Sequence, residues 1–238
     1  HCSMMPNRFY LGLDLGQAQD YSALAILERQ GHAKDSPYHC RHLHRWPLRT
    51  PYPAIVSDVA ALVKSPQLKD ERPLGLSHGY IHEFNSATAA RYAVLAVGAT
   101  GVGAPVVDLF KRERMSVKLE AVQITGGDSV TRDGGLTRVP KRDLVSAAQV
   151  ALQTERLKIA ADLSEAAVLT RELENFKVKI DLETAHDSYG AWREGAHDDL
   201  VLAVCLALWV AENGVNNAVW VLSQGRAHGG NRSYRGSF

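Results

Sequence analysis

One stretch of this sequence limits the fold more than any other. Between Tyr92 and Ile124 a short apolar run, a glycine-rich turn, a helical pattern and a second apolar run follow one another. Tyr92 to Val97 is short, fully apolar and closed by a turn, which reads as a buried strand. Gly98-Ala99-Thr100-Gly101-Val102-Gly103 then leads to Pro105 and to the helical spacing of Val106 to Arg114, and Val117 to Ile124 returns as a strand. Strand, helix and strand in that order pair in parallel, so the chain belongs among the α/β folds. The glycines follow the order G-x-x-G-x-G, where a dinucleotide fingerprint has G-x-G-x-x-G, and no Lys-Ser or Lys-Thr follows as a phosphate loop requires. A close-packed turn from strand to helix accounts for them better.

The remaining segments are expected to extend this unit. Phe9 to Leu15 and Ser22 to Glu28 are apolar runs separated by the turn-rich Gly16-Gln17-Ala18-Gln19-Asp20, the pattern of a hairpin. A third strand is expected over Tyr38 to Trp46, and after Pro51 and Pro53 a helix over Ala54 to Val63. Ser65 to Arg91 is polar and shows no usable period. Gly126 to Arg138, with a glycine pair near each end, reads as a mobile loop or a β-hairpin outside the core. Pro140 suits the first turn of a helix that continues through Asp143, Leu144, Ala147, Ala148 and Ala151. A further helix is expected from about Leu163 to Phe176, then a short strand near Val178 to Ile180. The last helix begins at Ala196-His197-Asp198-Asp199, with Leu200, Val201, Val204, Leu208 and Val210 as its buried side.

With 238 residues, 45% of them hydrophobic and 22% charged, the chain can bury one sizeable core. Residues 1–8 are expected to stand outside it as a disordered segment or an expression remnant, 9–213 to form the domain, and 214–238 to be a basic C-terminal tail carrying Arg226, Arg232 and Arg235. No apolar stretch reaches the ~18 to 20 residues of a membrane helix, and the first residues lack the order of a secretion signal, so a cytoplasmic location with no membrane partner is expected. Cys2, Cys40 and Cys205 are far apart with no CxxC pair, which supports neither a disulfide framework nor a zinc site. The formal charge is +1, so a DNA-binding surface has to come from local clusters. Arg132, Arg138, Lys141 and Arg142 make one cluster and the tail makes another; each is equally readable as a solvated charged surface.

Four aspartates carry the candidate chemistry. Asp14 interrupts an apolar strand, where a charge is costly unless it is paired or holds a cation; a salt bridge or a place at the turn end of the strand are the plainer readings. Asp20 lies six residues later across the turn, within reach of the same locality, and ordinary turn chemistry also explains it. Asp198 and Asp199 open an apolar helix, where negative charge is favoured and one carboxylate can accept a backbone N–H as a cap. The second is left for another task. Carboxylates that converge from separate elements repel one another, and a divalent cation with a preference for hard oxygen ligands, Mg²⁺ or Mn²⁺, removes that repulsion. Two such ions ~3.5 to 4 Å apart activate water and stabilise the leaving oxygen in phosphodiester cleavage.

Four motifs in order resemble those of phage terminase large subunits. They are Gly12-Leu13-Asp14-Leu15-Gly16 with Asp20, the turn Ala99-Thr100-Gly101-Val102-Gly103, Val139-Pro140-Lys141-Arg142-Asp143-Leu144, and Gly195-Ala196-His197-Asp198-Asp199-Leu200-Val201. The resemblance spans roughly Phe9 to Glu212. It implies an RNase H-like nuclease domain, with a central mixed sheet and helices on both faces, that cuts concatemeric double-stranded viral DNA with two divalent metals. On that analogy Asp14 bridges the metals, Asp198 and Asp199 supply helix-borne ligands, Asp20 is an accessory ligand, and Lys141 with the preceding loop lies beside the DNA. The implied partners are double-stranded DNA, a packaging ATPase domain, the portal and the small terminase subunit, and the implied location is the host cytoplasm, outside the mature virion. The chain has no G-x-x-x-x-G-K-[ST] motif, so it is expected either to be a C-terminal domain cut from a longer protein or to work with a separate ATPase.

One departure bears on activity. The family has an aspartate, a metal ligand, immediately before Ala-Thr-Gly-Val-Gly, and this chain has Gly98. Asp108 is a poor substitute, because at ~1.5 Å per residue it lies about three turns along the following helix. Three accounts are open: an engineered inactivation, a natural loss or relocation of the ligand, or a nuclease that relies on Asp20 and water. Each implies impaired cleavage with the fold kept. Two other functions stay open. Leu11-Gly12-Leu13-Asp14-Leu15-Gly16 followed by Ser22 also resembles the first phosphate-binding hairpin of actin-like ATPases and sugar kinases, although those proteins resemble two such domains around a cleft and one copy is present here. A non-catalytic DNA-binding module of the same RNase H-like fold is the other.

Overall fold

The computed structural model describes residues 8–16, 19–31, 33–65, 68, 93–101, 103–113, 115, 117–175 and 198–213. The strand expected at 178–180, the tail at 214–238, and Gly195 to His197 of the last motif lie outside the described residues.

Eight strands form one mixed sheet. β1 (Arg8–Asp14), β2 (Ala23–Arg29) and β3 (Tyr38–Arg45) are antiparallel neighbours, which is the expected hairpin and third strand. β4 (Ala93–Gly98) runs parallel to β1, and β5 (Lys118–Thr125) parallel to β4, as the strand-helix-strand pattern requires. β7 (Leu136–Pro140) adds parallel to β5, and the three-residue strands β6 (Thr131–Asp133) and β8 (Leu157–Ile159) form the two edges, giving the order β6-β7-β5-β4-β1-β2-β3-β8. The described helices are α1 (Tyr52–Val63), α2 (Gly103–Arg112), α3 (Lys141–Gln153), α4 (Ala166–Asn175) and α5 (Asp199–Asn213).

The two-residue period of β1 divides these helices between the two faces of the sheet. Leu11 and Leu13 pack with Ile55, Val59, Val106 and Phe110 under α1 and α2. Tyr10 packs on the other face with Leu144 of α3, Leu169 of α4 and α5. Helices therefore cover both faces of a mixed sheet. Among the described residues no helix is long and apolar enough to cross a membrane.

Two expectations need correction. The segment at 126–138 does contain a hairpin, but it is not outside the core: β7 is bonded to β5, and Thr137 and Val139 are buried. The last helix has no solvent side, since every residue from Asp199 to Ala211 is buried. It packs on β1, β2 and β4 below and on α3 and α4 beside it, and a helix apolar all round is the form such a position requires.

Position 12 brings that helix onto the sheet. A Cβ on Gly12 would overlap the carbonyl oxygen of Ala203 and stand 2.7 Å from Ala207 N, so only glycine permits the approach. From Gly12 the strand advances two residues to Asp14, and from Ala203 the helix runs back five residues to Asp198; at ~3.3 and ~1.5 Å per residue both paths are about 7 Å. The end of β1 and the start of α5 are thereby brought to the same level.

Candidate functional site

β1 and β4 end side by side. Leu13 stands opposite Val97, and Asp14 and Gly98 are the next residue on each strand. A Cβ on Gly98 would lie 3.2 Å from Asp14 Oδ1 and 3.5 Å from Leu206 Cδ1 of α5, so both positions face that helix. Asp14 is buried, with 6% of its surface exposed. The turn after β4 is fastened to β5: Ala99 N–H donates to Val122 O at 2.7 Å and Ile124 N–H to Thr100 Oγ1 at 2.8 Å. Gly101 takes a φ of 82° in that turn, a conformation glycine adopts without strain.

Asp198 and Asp199 are both buried at the start of α5. Lys141, the first residue of α3, is also buried, and its Nζ stands 3.9 Å from Asp198 Oδ2. The thiol of Cys205 on α5 ties these groups together. Burial pushes it up to about 12; the nearby Lys141 charge works against that shift, while Asp198 and Asp14 add to it. Asp14, Asp198 and Lys141 thus act on one buried atom from a strand end and two helix starts.

The sequence assigns one of the two aspartates to capping α5, but an acid from another element accepts the first-turn amides. Leu200 N–H and Val201 N–H donate to Glu172 Oε2 of α4, at 3.0 and 3.2 Å. Arg45, at the end of β3, lies 3.7 Å from the other oxygen of Glu172. Burial pushes the Glu172 carboxyl up to about 7; the bond from Val201 opposes this, the Asp199 charge adds to it, and the bond from Leu200 and the Arg45 charge oppose it. Sequence reasoning passes over Glu172, although a signal is present. Ala166, Leu169 and Glu172 recur every third residue, which sets an acid on the buried stripe of its helix.

Asp20 is not seen among these groups. It lines a pocket of about 240 Å³ with Gly16, Ser22, Arg49, Thr50 and Tyr52, whose lining includes none of Asp14, Asp198 and Asp199. Of the basic cluster, Arg132 is exposed on β6, donates to Asn213 O at 3.3 Å and lies 5.9 Å over the Trp209 ring. Arg138 is half-buried on β7. Arg142 donates to the carboxylate and the carbonyl of Asp128 at 2.9 and 2.8 Å. Lys141 is buried, with its ammonium 3.9 Å from Asp198 Oδ2.

Among the described residues, buried carboxylates from three elements stand with one buried ammonium and one guanidinium in ion pairs with them, an arrangement that a hard cation would stabilise. The side-chain donors of Asp14, Asp198 and Asp199 are all oxygen, which fits Mg²⁺ or Mn²⁺. Gly98 adds none. Among the described residues no three His, Cys, Asp or Glu side chains are gathered as a metal site.

No family model matches the chain, and no curated protein matches it in sequence. Solved structures do match. The large terminase nuclease from thermophilic phage G20c with bound magnesium aligns over 87% of this chain and 83% of its own, at a TM-score of 0.52 and 16% identity. A second structure of that nuclease aligns over 84% and 81%, at 0.50 and 16%. The human cytomegalovirus terminase nuclease domain, soaked with Mn and bound to an inhibitor, aligns over 87% and 83%, at 0.52 and 13%. With its mixed sheet clad by helices on both faces, this chain has the RNase H-like fold of the large terminase nuclease domains.

Proposed function

We propose that the chain is the nuclease domain of a viral DNA-packaging terminase, a metal-dependent endonuclease for concatemeric double-stranded DNA whose cleavage is impaired by glycine at position 98. The observation that supports this reading is the level placement of the end of β1, which carries Asp14, and the acidic start of α5, beside position 98, where a Cβ would stand 3.2 Å from Asp14 Oδ1 and that carboxylate would have to shift slightly. Asp14, Asp198 and Asp199 are the residues that would hold Mg²⁺ or Mn²⁺, and Asp20 remains a proposed accessory ligand. Ions held there by these aspartates would supply Lewis acidity for activating water and for offsetting negative charge in phosphodiester hydrolysis. The magnesium in the phage G20c nuclease and the manganese soak of the cytomegalovirus domain support the same choice of ion here.

The chain's own residues prepare that chemistry. Lys141 offsets the charge of Asp198, which lowers the cost of assembling buried acids. The tethered turn after β4 keeps the strand ends level. Arg132 and Arg138 give the β6–β7 hairpin a basic surface for phosphates, with Arg142 at the start of α3 beside it and bonded to Asp128. Double-stranded DNA is then the substrate, a packaging ATPase, the portal and the small subunit are the partners, and the host cytoplasm is the setting.

The test is G98D, assayed by plasmid nicking with Mn²⁺. Because the added side chain starts 3.2 Å from Asp14 Oδ1, its carboxylate completes the ligand set, and nicking is expected to rise by at least about tenfold, the lower end for metal-site effects. Unchanged nicking defeats the ligand assignment. Gly98 also favours a second reading, a non-catalytic DNA-binding module. DNA binding without cleavage in G98D under either metal selects it.

A further inference from the structure

We infer that Glu172 is a positioning residue for the acidic end of α5, holding that terminus so that Asp198 and Asp199 are presented toward Asp14; this rests on the metal-dependent reading above. One oxygen of Glu172 is hydrogen-bonded, and the other is buried without a hydrogen-bond partner near a cation. Oε2 accepts the amides of Leu200 and Val201, the two residues that follow the aspartate pair, and Oε1 faces the Arg45 guanidinium at 3.7 Å. Arg45 is in turn stacked 4.3 Å over the ring of Tyr21, just before β2. One carboxylate therefore joins the first turn of α5 to α4, to the end of β3 and to the residue that follows Asp20. At 7% exposure it is shielded from water, so its bonds to the amides are not readily exchanged for solvent.

The physical need is specific to this terminus. The first amides of a helix draw the nearest carboxylate, and in most helices that is a side chain of the cap residue itself. Here the cap region carries the two acids that the metal requires. An acceptor supplied from α4 takes the Leu200 and Val201 amides. It also fixes the rotation of the first turn, and with it the direction in which both aspartates leave the backbone. Glu172 touches no metal ligand position of its own; it acts through the helix end it grips.

The experiment measures Mn²⁺ binding by calorimetry and melting temperature without metal, in both the unaltered chain and G98D. E172A is expected to weaken Mn²⁺ binding by about 10- to 100-fold, as loss of an outer-shell partner does. E172Q keeps an oxygen for the two amides and is expected to lose less. L169A opens a cavity in the same helix, at a side chain with no exposed surface, and is expected to lower the melting temperature while leaving Mn²⁺ affinity unchanged. Should E172A not fold, E172D, one methylene short of the amides, is expected to lose affinity in the same direction. Parent-like Mn²⁺ affinity in E172A or E172D overturns the positioning role, and so does an equal loss in L169A, which would mean general loosening. A chain that binds no Mn²⁺ even as G98D sinks the nuclease reading first, and Glu172 then has nothing to aim.

Discussion

At position 98 a glycine faces the Asp14 carboxylate of β1 and Leu206 of α5. Asp14, Asp198 and Asp199 are buried, and the buried Lys141 ammonium stands 3.9 Å from Asp198 Oδ2. Removing that ammonium while keeping the alkyl length, as in K141M, takes a buried counter-charge away from Asp198. Breaking one partner of a buried pair costs about 3–5 kcal/mol, and the long 3.9 Å separation puts the expectation at the low end. K141M should therefore melt well below the parent in chelator. Added Mn²⁺ should recover part of the loss, because it supplies positive charge to the same acids. Thermal melting with chelator and then with a Mn²⁺ series checks both halves. A variant as stable as its parent in chelator would show that the pair carries little energy.

At the level of elements, the site depends on a contact that no local pattern announces. The β1–β2 hairpin and the β4–α2–β5 crossover are legible because strand and helix periods and turn residues lie within a few positions of each other. Asp14 and the Asp198–Asp199 pair are legible for the same reason, as charges that interrupt or open apolar runs. What the sequence hides is long-range. β8 is three residues long and exists because β3 offers it an edge; β7 belongs to the sheet because β5 does; Glu172 reaches amides 28 positions away; and Lys141, at a helix start, gives no sign of which way it turns. Even the full burial of α5 follows from what covers it. Gly12 is the hinge of that long-range arrangement, and it looks like an ordinary strand glycine. G12A is expected to destabilise the protein by about 3 kcal/mol or more, the upper range for overpacking, because the new methyl meets backbone of Ala203 and Ala207 that cannot rotate away. Denaturant unfolding measures it. If the helix instead shifts outward to make room, Mn²⁺ affinity should fall with stability, since Asp198 then moves off the level of Asp14.

Over the whole molecule, charge is nearly balanced at +1, and association with DNA on the nuclease reading cannot draw on a global field. It has to come from a few phosphate contacts, and those are countable by salt. Each phosphate neutralised contributes about 0.9 to the slope of log affinity against log salt on duplex DNA. The basic residues near α3 are not equivalent in this count. Arg142 has both terminal nitrogens committed to Asp128, and Lys141 is buried against Asp198, so neither is ready to exchange its partner for a phosphate without a cost. Arg132 is exposed and bound only to one backbone carbonyl among the contacts described for its guanidinium, apart from the Trp209 ring beneath it. R132A should therefore weaken DNA binding and reduce the salt slope by about one, while R142A should leave the slope nearly unchanged. Fluorescence anisotropy on a short duplex with Ca²⁺ in place of Mn²⁺, across a salt series, separates the two. Equal slopes for the parent and R132A would mean that the β6–β7 hairpin does not meet the DNA backbone through that residue, and the contact surface would then have to be sought on another side of the domain.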